Sequence, residues 1–278
     1  MSSGDLSALV IALREGIEMT LIAGIVLAYL TQIGARRAHR WAWAGIAAAV
    51  GVSLGFLGLL NLLEAEFSGT TEQVFEGVTM LLAAAFLTWM IFWMLRQSRH
   101  LKGDLQRAVQ ETLATGGAAW GIFLLVFFAV VREGVETALL LFAAPGEGKL
   151  LGTVVGLAIA VGVGVLIYAF GRRIDLRTFF RVTGVVLVFF AAGLVTHAVH
   201  EFVEAGLVSG GPELFDLSAT LPDGDGLGAI LRSLFGYSAD PTLLEGIAYV
   251  GYYALALVLW RSRLIDRLAA PRAAAKVA

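Results

Sequence analysis

Seven apolar stretches divide the chain, at about 6–30, 42–62, 74–95, 117–143, 150–171, 179–202 and 243–261. Each approaches the roughly 20 residues that carry a helix across a hydrocarbon core. None alternates with period two, as the strands of a membrane barrel would. The pattern predicts an all-α integral membrane protein, one membrane domain over 1–278 with seven transmembrane helices.

The connections between these stretches alternate in charge. "ARRAHR" (35–40), the segment holding Arg96, Arg99, Lys102 and Arg107, "GRRIDLR" (171–177), and the tail with Arg261, Arg263, Arg267 and Arg272 are basic. Short basic connections stay cytoplasmic. The other set is acidic or poor in charge: "SSGD", "EAEFSGTTE" (64–72), "GEGK" (146–149), and 203–242 with Glu204, Glu213, Asp216, Asp223 and Asp225. The expected orientation has the N-terminus outside and the C-terminus in the cytoplasm, in the cytoplasmic (inner) membrane as a multi-pass protein. The segment 206–242 is an external loop, either a lid or a solvated connection.

Composition agrees with a membrane setting. Of 278 residues, 58% are hydrophobic and 15% charged, with a mean hydropathy of +0.82. A net charge of −2 gives nucleic acid no support as a partner. The absence of cysteine removes disulfides, thiolate metal sites and cysteine nucleophiles. "MSSGDLSALV" lacks the basic flank of a secretory signal, and Arg14 and Glu15 interrupt its apolar run, so it is expected to stay as the first span. Gly-rich runs at 51–58 and 156–164 are read as places of close helix contact.

One motif breaks the apolar pattern twice: "REGIE" at 14–18 and "REGVE" at 132–136. The duplication divides the chain into a three-helix unit (1–97), a second three-helix unit (113–205), the external loop (206–242), and a seventh helix with its tail (243–278). An odd number of spans per unit makes the second unit enter from the opposite side. The result is an inverted 3+3 repeat of the kind many secondary transporters use, with the substrate site where the halves meet. At about 1.5 Å per residue, both motifs lie about 12–14 Å below the outer edge. Glu15 with Glu18, and Glu133 with Glu136, stand three residues apart on one helical face, their Cβ atoms about 5–6 Å apart.

Three charges in one span cost about 8–10 kcal/mol on insertion scales. They are expected to face the interior and pair there, Arg14 with Glu18 and Arg132 with Glu136 at the i,i+4 spacing, leaving Glu15 and Glu133 over. Four acids against two arginines leave negative charge in a low dielectric, which either a cation or protons must balance. Gly16 and Gly134 open space beside the acids, for a ligand or for a neighbouring helix. Carboxylates are hard ligands, so Ca²⁺, Mg²⁺, Mn²⁺ and oxidised iron are the candidates.

Both motifs, together with "FEGVTMLLAAAFLTWMIFWM" (75–94), "VFFAVVREGVE" (126–136), "AAGLVTHAVHEFVEAGL" (191–207) and "LFGYSADP" (234–241), resemble the high-affinity iron permease family. These are the oxidase-dependent iron transporters of fungi and the Efe-type permeases of bacteria. The resemblance spans essentially the whole chain. It implies a seven-span permease in which Glu15, Glu18, Glu133 and Glu136 bind iron ions in passage, with Arg14 and Arg132 organising the carboxylates. Iron is then the transported substrate, with no organic cofactor, and an external ferroxidase or a periplasmic iron-binding protein is the implied partner. Ile17 and Val135 stand where leucine is usual, a change of packing alone. Val203 precedes Glu204 where bacterial relatives often carry histidine.

Further acids and histidines form a second group. Glu76 and Glu245 each precede glycine near the outer ends of spans three and seven, as an entry site or as acids favoured at a helix start. His197, His200, Glu201 and Glu204 share a stripe near the outer end of span six, as secondary metal ligands or tolerated boundary residues. Glu64, Glu66 and Glu72 form either a cation-concentrating vestibule or a solvated loop. His39 and His100 fall in basic loops and are read as unrelated to metal.

The leading expectation is import of Fe³⁺. Alternatives are a permease for Fe²⁺ or another hard divalent cation such as Mn²⁺ or Ca²⁺, and a membrane di-iron oxidoreductase, which four histidines and the lack of Glu-x-x-His in either motif disfavour. Movement of the repeats giving alternating access and a gated channel are both compatible with the repeat.

Overall fold

The computed structural model describes residues 3–97, 101–114, 118–146, 148–170, 176–224 and 226–261. The basic residues Arg99, Arg172, Arg173, Arg263, Arg267 and Arg272, together with His100, Asp225 and Glu147, lie outside them. Helices follow in order: α1 (Ser3–Gln32), α2 (Arg36–Glu66), α3 (Thr70–Gln97), α4 (Leu101–Ala114), α5 (Ala118–Ala143), α6 (Lys149–Phe170), α7 (Leu176–Glu204), α8 (Gly226–Phe235) and α9 (Leu243–Arg261). Every expected span coincides with a long helix. Helices α2, α3, α6, α7 and α9 are long and apolar enough to cross a membrane. Helices α1 and α5 have the length, 30 and 26 residues, but carry the motif charges. Several apolar helices of this length make the chain a multi-pass membrane protein.

Two helices depart from expectation. Helix α4 occupies a basic connection read as a loop. Its Val109 is fully buried and joins Val26, Leu30, Ala38, Ala42, Ala49, Ile122, Val126 and Val130 in one apolar cluster. Its polar remainder, with Lys102, Asp104 and Arg107, hid that apolar side from a search for long hydrophobic runs. Helix α8 lies inside 206–242, which is therefore not wholly a loop. It ends at Gly236 (φ 70°), whose N–H donates to Arg232 O in the five-to-one pattern of an αL glycine cap, while Tyr237 N–H reaches Leu231 O.

Contacts group the chain into two compact units. The first holds Met1–Glu76 and Arg99–Leu176, the second Gly77–Ser98 and Arg177–Ala278. In the first unit α1 packs most extensively on α6, and α2 on α5. Small residues make this possible. Gly152, Gly156, Ala160 and Gly164 of α6 meet Asp5, Leu9, Gly16 and Thr20 of α1 in the same order, so the two helices run parallel. Gly45 and Ser53 of α2 meet the backbone near Phe123 and Phe127 and then Gly134 of α5, again parallel. The opposite face of α2, with Val50, Val52, Leu54, Leu59 and Leu62, is exposed, as a lipid-facing surface would be. Asp5 Oδ1 accepts a 2.9 Å hydrogen bond from Gly152 N–H, supplying an acceptor to an otherwise open first-turn amide of α6.

In the second unit Gly77 of α3 lies against the ring of Phe202 on α7, and the hydroxyls of Thr88 and Tyr252 share a 2.8 Å hydrogen bond. Gly193 of α7 and Gly236 touch backbone to backbone. Side chains larger than hydrogen at either position would push the α8 turn off α7.

Candidate metal centre

Both motifs lie in the middle of long helices and in the first unit, on α1 and α5. Helical spacing puts residues 14, 15 and 18 of α1, and 132, 133 and 136 of α5, within reach of one another. Contact between α1 and α5 brings the two sets together.

One carboxylate oxygen each of Glu15, Glu133 and Glu136 lies within 4.8 Å of the others, and all three residues are buried. In each of these carboxylates Oε2 is buried with no hydrogen-bond partner. Buried polar atoms without partners are rare and carry a desolvation cost that something must offset. A hard cation drawn to three converging carboxylates supplies that offset.

The arginines complete the pattern unequally. Arg14, 3% exposed, holds Glu18 Oε1 at 3.0 Å from Nη2 and also donates from Nη1 to Glu15 Oε1. Arg132, 36% exposed, donates from Nε to Glu136 Oε1 at 2.9 Å and stands 3.9 Å from Glu133 Oε1. The two i,i+4 pairs are as expected. Glu133 is the looser acid, as expected, but Glu15 is not left over, because the Arg14 guanidinium forks to both acids of its motif. Glu18, held by Arg14, is outside the group of three converging oxygens.

Gly16 and Gly134 act as contact points. A Cβ on Gly16 would stand 2.7 Å from Ala160 Cβ, and one on Gly134 2.8 Å from Ser53 Cβ. Of the two readings of these glycines, helix packing is the one the geometry shows. Ser53, whose hydroxyl donates to Ala49 O, was not singled out in the sequence, and nothing in a lone serine marks it there.

The secondary candidates lie apart by unit. Glu64, Glu66 and Glu72 sit at the end of α2 and the start of α3, Glu64 and Glu72 half-buried and Glu66 exposed. Half-buried Glu76 and Glu64 are both close enough to Lys149 to interact electrostatically. In the second unit Glu245 is 2% exposed. Its backbone N–H approaches Thr242 Oγ1 at 3.4 Å while its Oε2 accepts from Thr242 N–H at 3.3 Å. This reciprocal pair is a capping box at the start of α9. His200 Nδ1 donates to Glu245 Oε1 at 3.0 Å, and its Nε2 lies 3.4 Å from Glu204 Oε1. His197 Nδ1 donates to Gly193 O at 2.9 Å. Glu201 is half-buried on the same helix. Three residues that the sequence did not single out as site candidates, Asp240, Arg232 and Ser238, join His197, His200, Asp223 and Glu245 around one cavity.

The model of the iron permease FTR1 family matches residues 5–266. A "Ferrous iron permease EfeU" of Escherichia coli O6:H1 is 38% identical over 254 residues, covering 89% of this chain and 92% of its own. The protein of the same name from Escherichia coli O157:H7 is 37% identical over 254 residues, with the same coverages. That from Yersinia pestis is 36% identical over 258 residues, covering 90% and 91%. No solved structure matches the chain. The family and these relatives are named as permeases, transporters rather than enzymes. With a family match over nearly its full length and relatives at this identity, the chain belongs to the iron permease FTR1 family.

Proposed function

We propose that this protein is an iron permease of the cytoplasmic membrane in which Glu15, Glu133 and Glu136 bind the ion during passage and Glu18 completes the acidic set. The observation that carries this reading is the convergence of three buried carboxylates, each with its Oε2 lacking a hydrogen-bond partner. Arg14 and Arg132 orient the acids and offset part of their charge. Protonation of the carboxylates weakens a hard-cation site and so favours release.

An inverted repeat is supported by the exchange of partners in the first unit: α1 packs on α6, the second helix of the other repeat, and α5 on α2. The two motif glycines make corresponding contacts, Gly16 with Ala160 and Gly134 with Ser53. An N-terminus outside is supported by the basic residues Arg36, Arg37 and Arg40 in the connection after α1, and a C-terminus inside by the basic tail. Short basic connections stay cytoplasmic, and the rings of Trp41 and Trp120, which meet at 5.9 Å beside them, suit a membrane–water boundary. Movement between repeats would expose the site alternately to each side. An external ferroxidase or a periplasmic iron-binding protein delivers the ion.

The all-oxygen set favours Fe³⁺, the harder ion. A second reading, Fe²⁺, is favoured by the names of the relatives, which are ferrous permeases. Radio-iron uptake into proteoliposomes, with iron held in one oxidation state at a time and a controlled pH gradient, tests both. Uptake from Fe³⁺ under conditions that keep it oxidised supports the first reading, and uptake from Fe²⁺ alone the second. Absence of uptake from either would overturn the permease assignment.

A further inference from the structure

The cavity in the second unit has a chemistry of its own. It encloses about 250 Å³, lined by Thr196, His197 and His200 of α7, Arg232 of α8, Glu245 of α9, and Asp223, Ser238 and Asp240 from the segments flanking α8. We propose that it is a second ion site, which takes a partly hydrated divalent first-row transition-metal cation. The proposal goes beyond the transport reading and does not depend on which ion the α1–α5 glutamates bind.

The donor set comes first. His197 Nδ1 donates to the Gly193 carbonyl, so its Nε2 keeps a lone pair. A backbone carbonyl fixing one ring nitrogen so that the other can ligate is the usual support for a metal-binding histidine. Gly193 is in turn pressed by the Gly236 backbone, so the carbonyl that orients His197 sits at a packed point of the fold. Glu245 is buried, and its two oxygens are held by Thr242 and His200, which set the carboxylate's direction as outer partners do around a metal. Asp223 and Asp240 also line the space.

Charge and size then specify the ligand. Among the lining residues three carboxylates face one guanidinium, so the cavity attracts a cation. Imidazole with carboxylate selects first-row transition metals over Ca²⁺ and Mg²⁺, which take oxygen. At about 30 Å³ per water, the volume holds about eight waters, enough for an ion that keeps much of its hydration shell. Arg232 occupies the site in the meantime: its Nη1 pairs with Asp223 Oδ2 at 3.0 Å, and its Nε points to His197 Nε2 at 3.4 Å. An arriving cation would displace that guanidinium from both.

The test uses Co²⁺ as a spectroscopic probe on the full chain in nanodiscs. A variant with Glu15, Glu133 and Glu136 each changed to Gln should retain one bound Co²⁺ per chain, with visible bands showing nitrogen coordination. Adding His197→Asn, which keeps a donor for Gly193 O but removes Nε2, should abolish that ion. Glu245→Gln, which preserves the capping box, should abolish it also. Arg232→Gln should tighten it. Unchanged thermal melting of the His197→Asn and Glu245→Gln chains shows that loss of the ion is not loss of fold. The proposal is overturned if the triple Gln chain binds no Co²⁺, or if its Co²⁺ survives both His197→Asn and Glu245→Gln. Iron uptake by the triple Gln chain would instead contradict the transport reading and leave the Co²⁺ count to decide this one.

Discussion

Gly134 packs directly against Ser53: a methyl group at position 134 would stand 2.8 Å from the Ser53 Cβ, at the centre of the second motif. The contact fixes how closely α5 approaches α2, and with it where Glu133 and Glu136 stand. Gly134→Ala should therefore destabilise the chain by about 1–3 kcal/mol, the usual effect of overpacking. Ser53→Gly should restore part of the loss when combined with it. Gly24→Ala is the matched control, because nothing lies within 4 Å of a Cβ there. Thermal melts of the four purified chains check this. An equal response at positions 24 and 134 would contradict the packing argument.

The arginines should separate under substitution. Arg14 is almost fully buried and pairs with Glu15 and Glu18, so Arg14→Met strands two acids away from water. Breaking a buried pair in this way costs about 3–5 kcal/mol. Arg132 is 36% exposed, so solvent already screens its pairing with the buried Glu133 and Glu136. Arg132→Met should melt closer to the unaltered chain than Arg14→Met does. Calorimetry on both variants checks the order.

Orientation is open to a clean chemical test because the chain has no cysteine. A cysteine at Ser218, in the segment before α8, should react with a membrane-impermeant thiol reagent from outside intact cells. One at Asp104, on α4, should react only after the membrane is opened. The reverse pattern would invert the topology.

Long apolar runs made the seven long helices among the described residues legible, because crossing a hydrocarbon core takes about 20 mostly apolar residues, and three charges each in α1 and α5 leave such a run recognisable. Duplication made the motifs legible, and their i,i+4 pairs Arg14–Glu18 and Arg132–Glu136 followed from helical spacing alone. Helices α4 and α8 were not legible: the apolar side of α4 is too narrow for a hydropathy window, and α8 has only 10 residues. The second bond of Arg14, to Glu15, was equally hidden. Adjacent residues on a helix do not face each other, and a long guanidinium reached around that rule. Arg232 and Asp240 escaped notice because their meeting with His197 and Glu245 depends on the chain returning from α8 across α7, which no local spacing encodes.

We propose that the buried carboxylates converging from α1 and α5 bind iron on its way across the membrane. Radio-iron uptake by proteoliposomes carrying Glu133→Ala measures it most directly, with Glu66→Ala, an exposed acid outside the cluster, as the control. The Glu133→Ala protein is expected to insert and melt as a folded chain yet lose iron uptake, while Glu66→Ala retains it. Uptake by Glu133→Ala equal to that of the unaltered chain would contradict it.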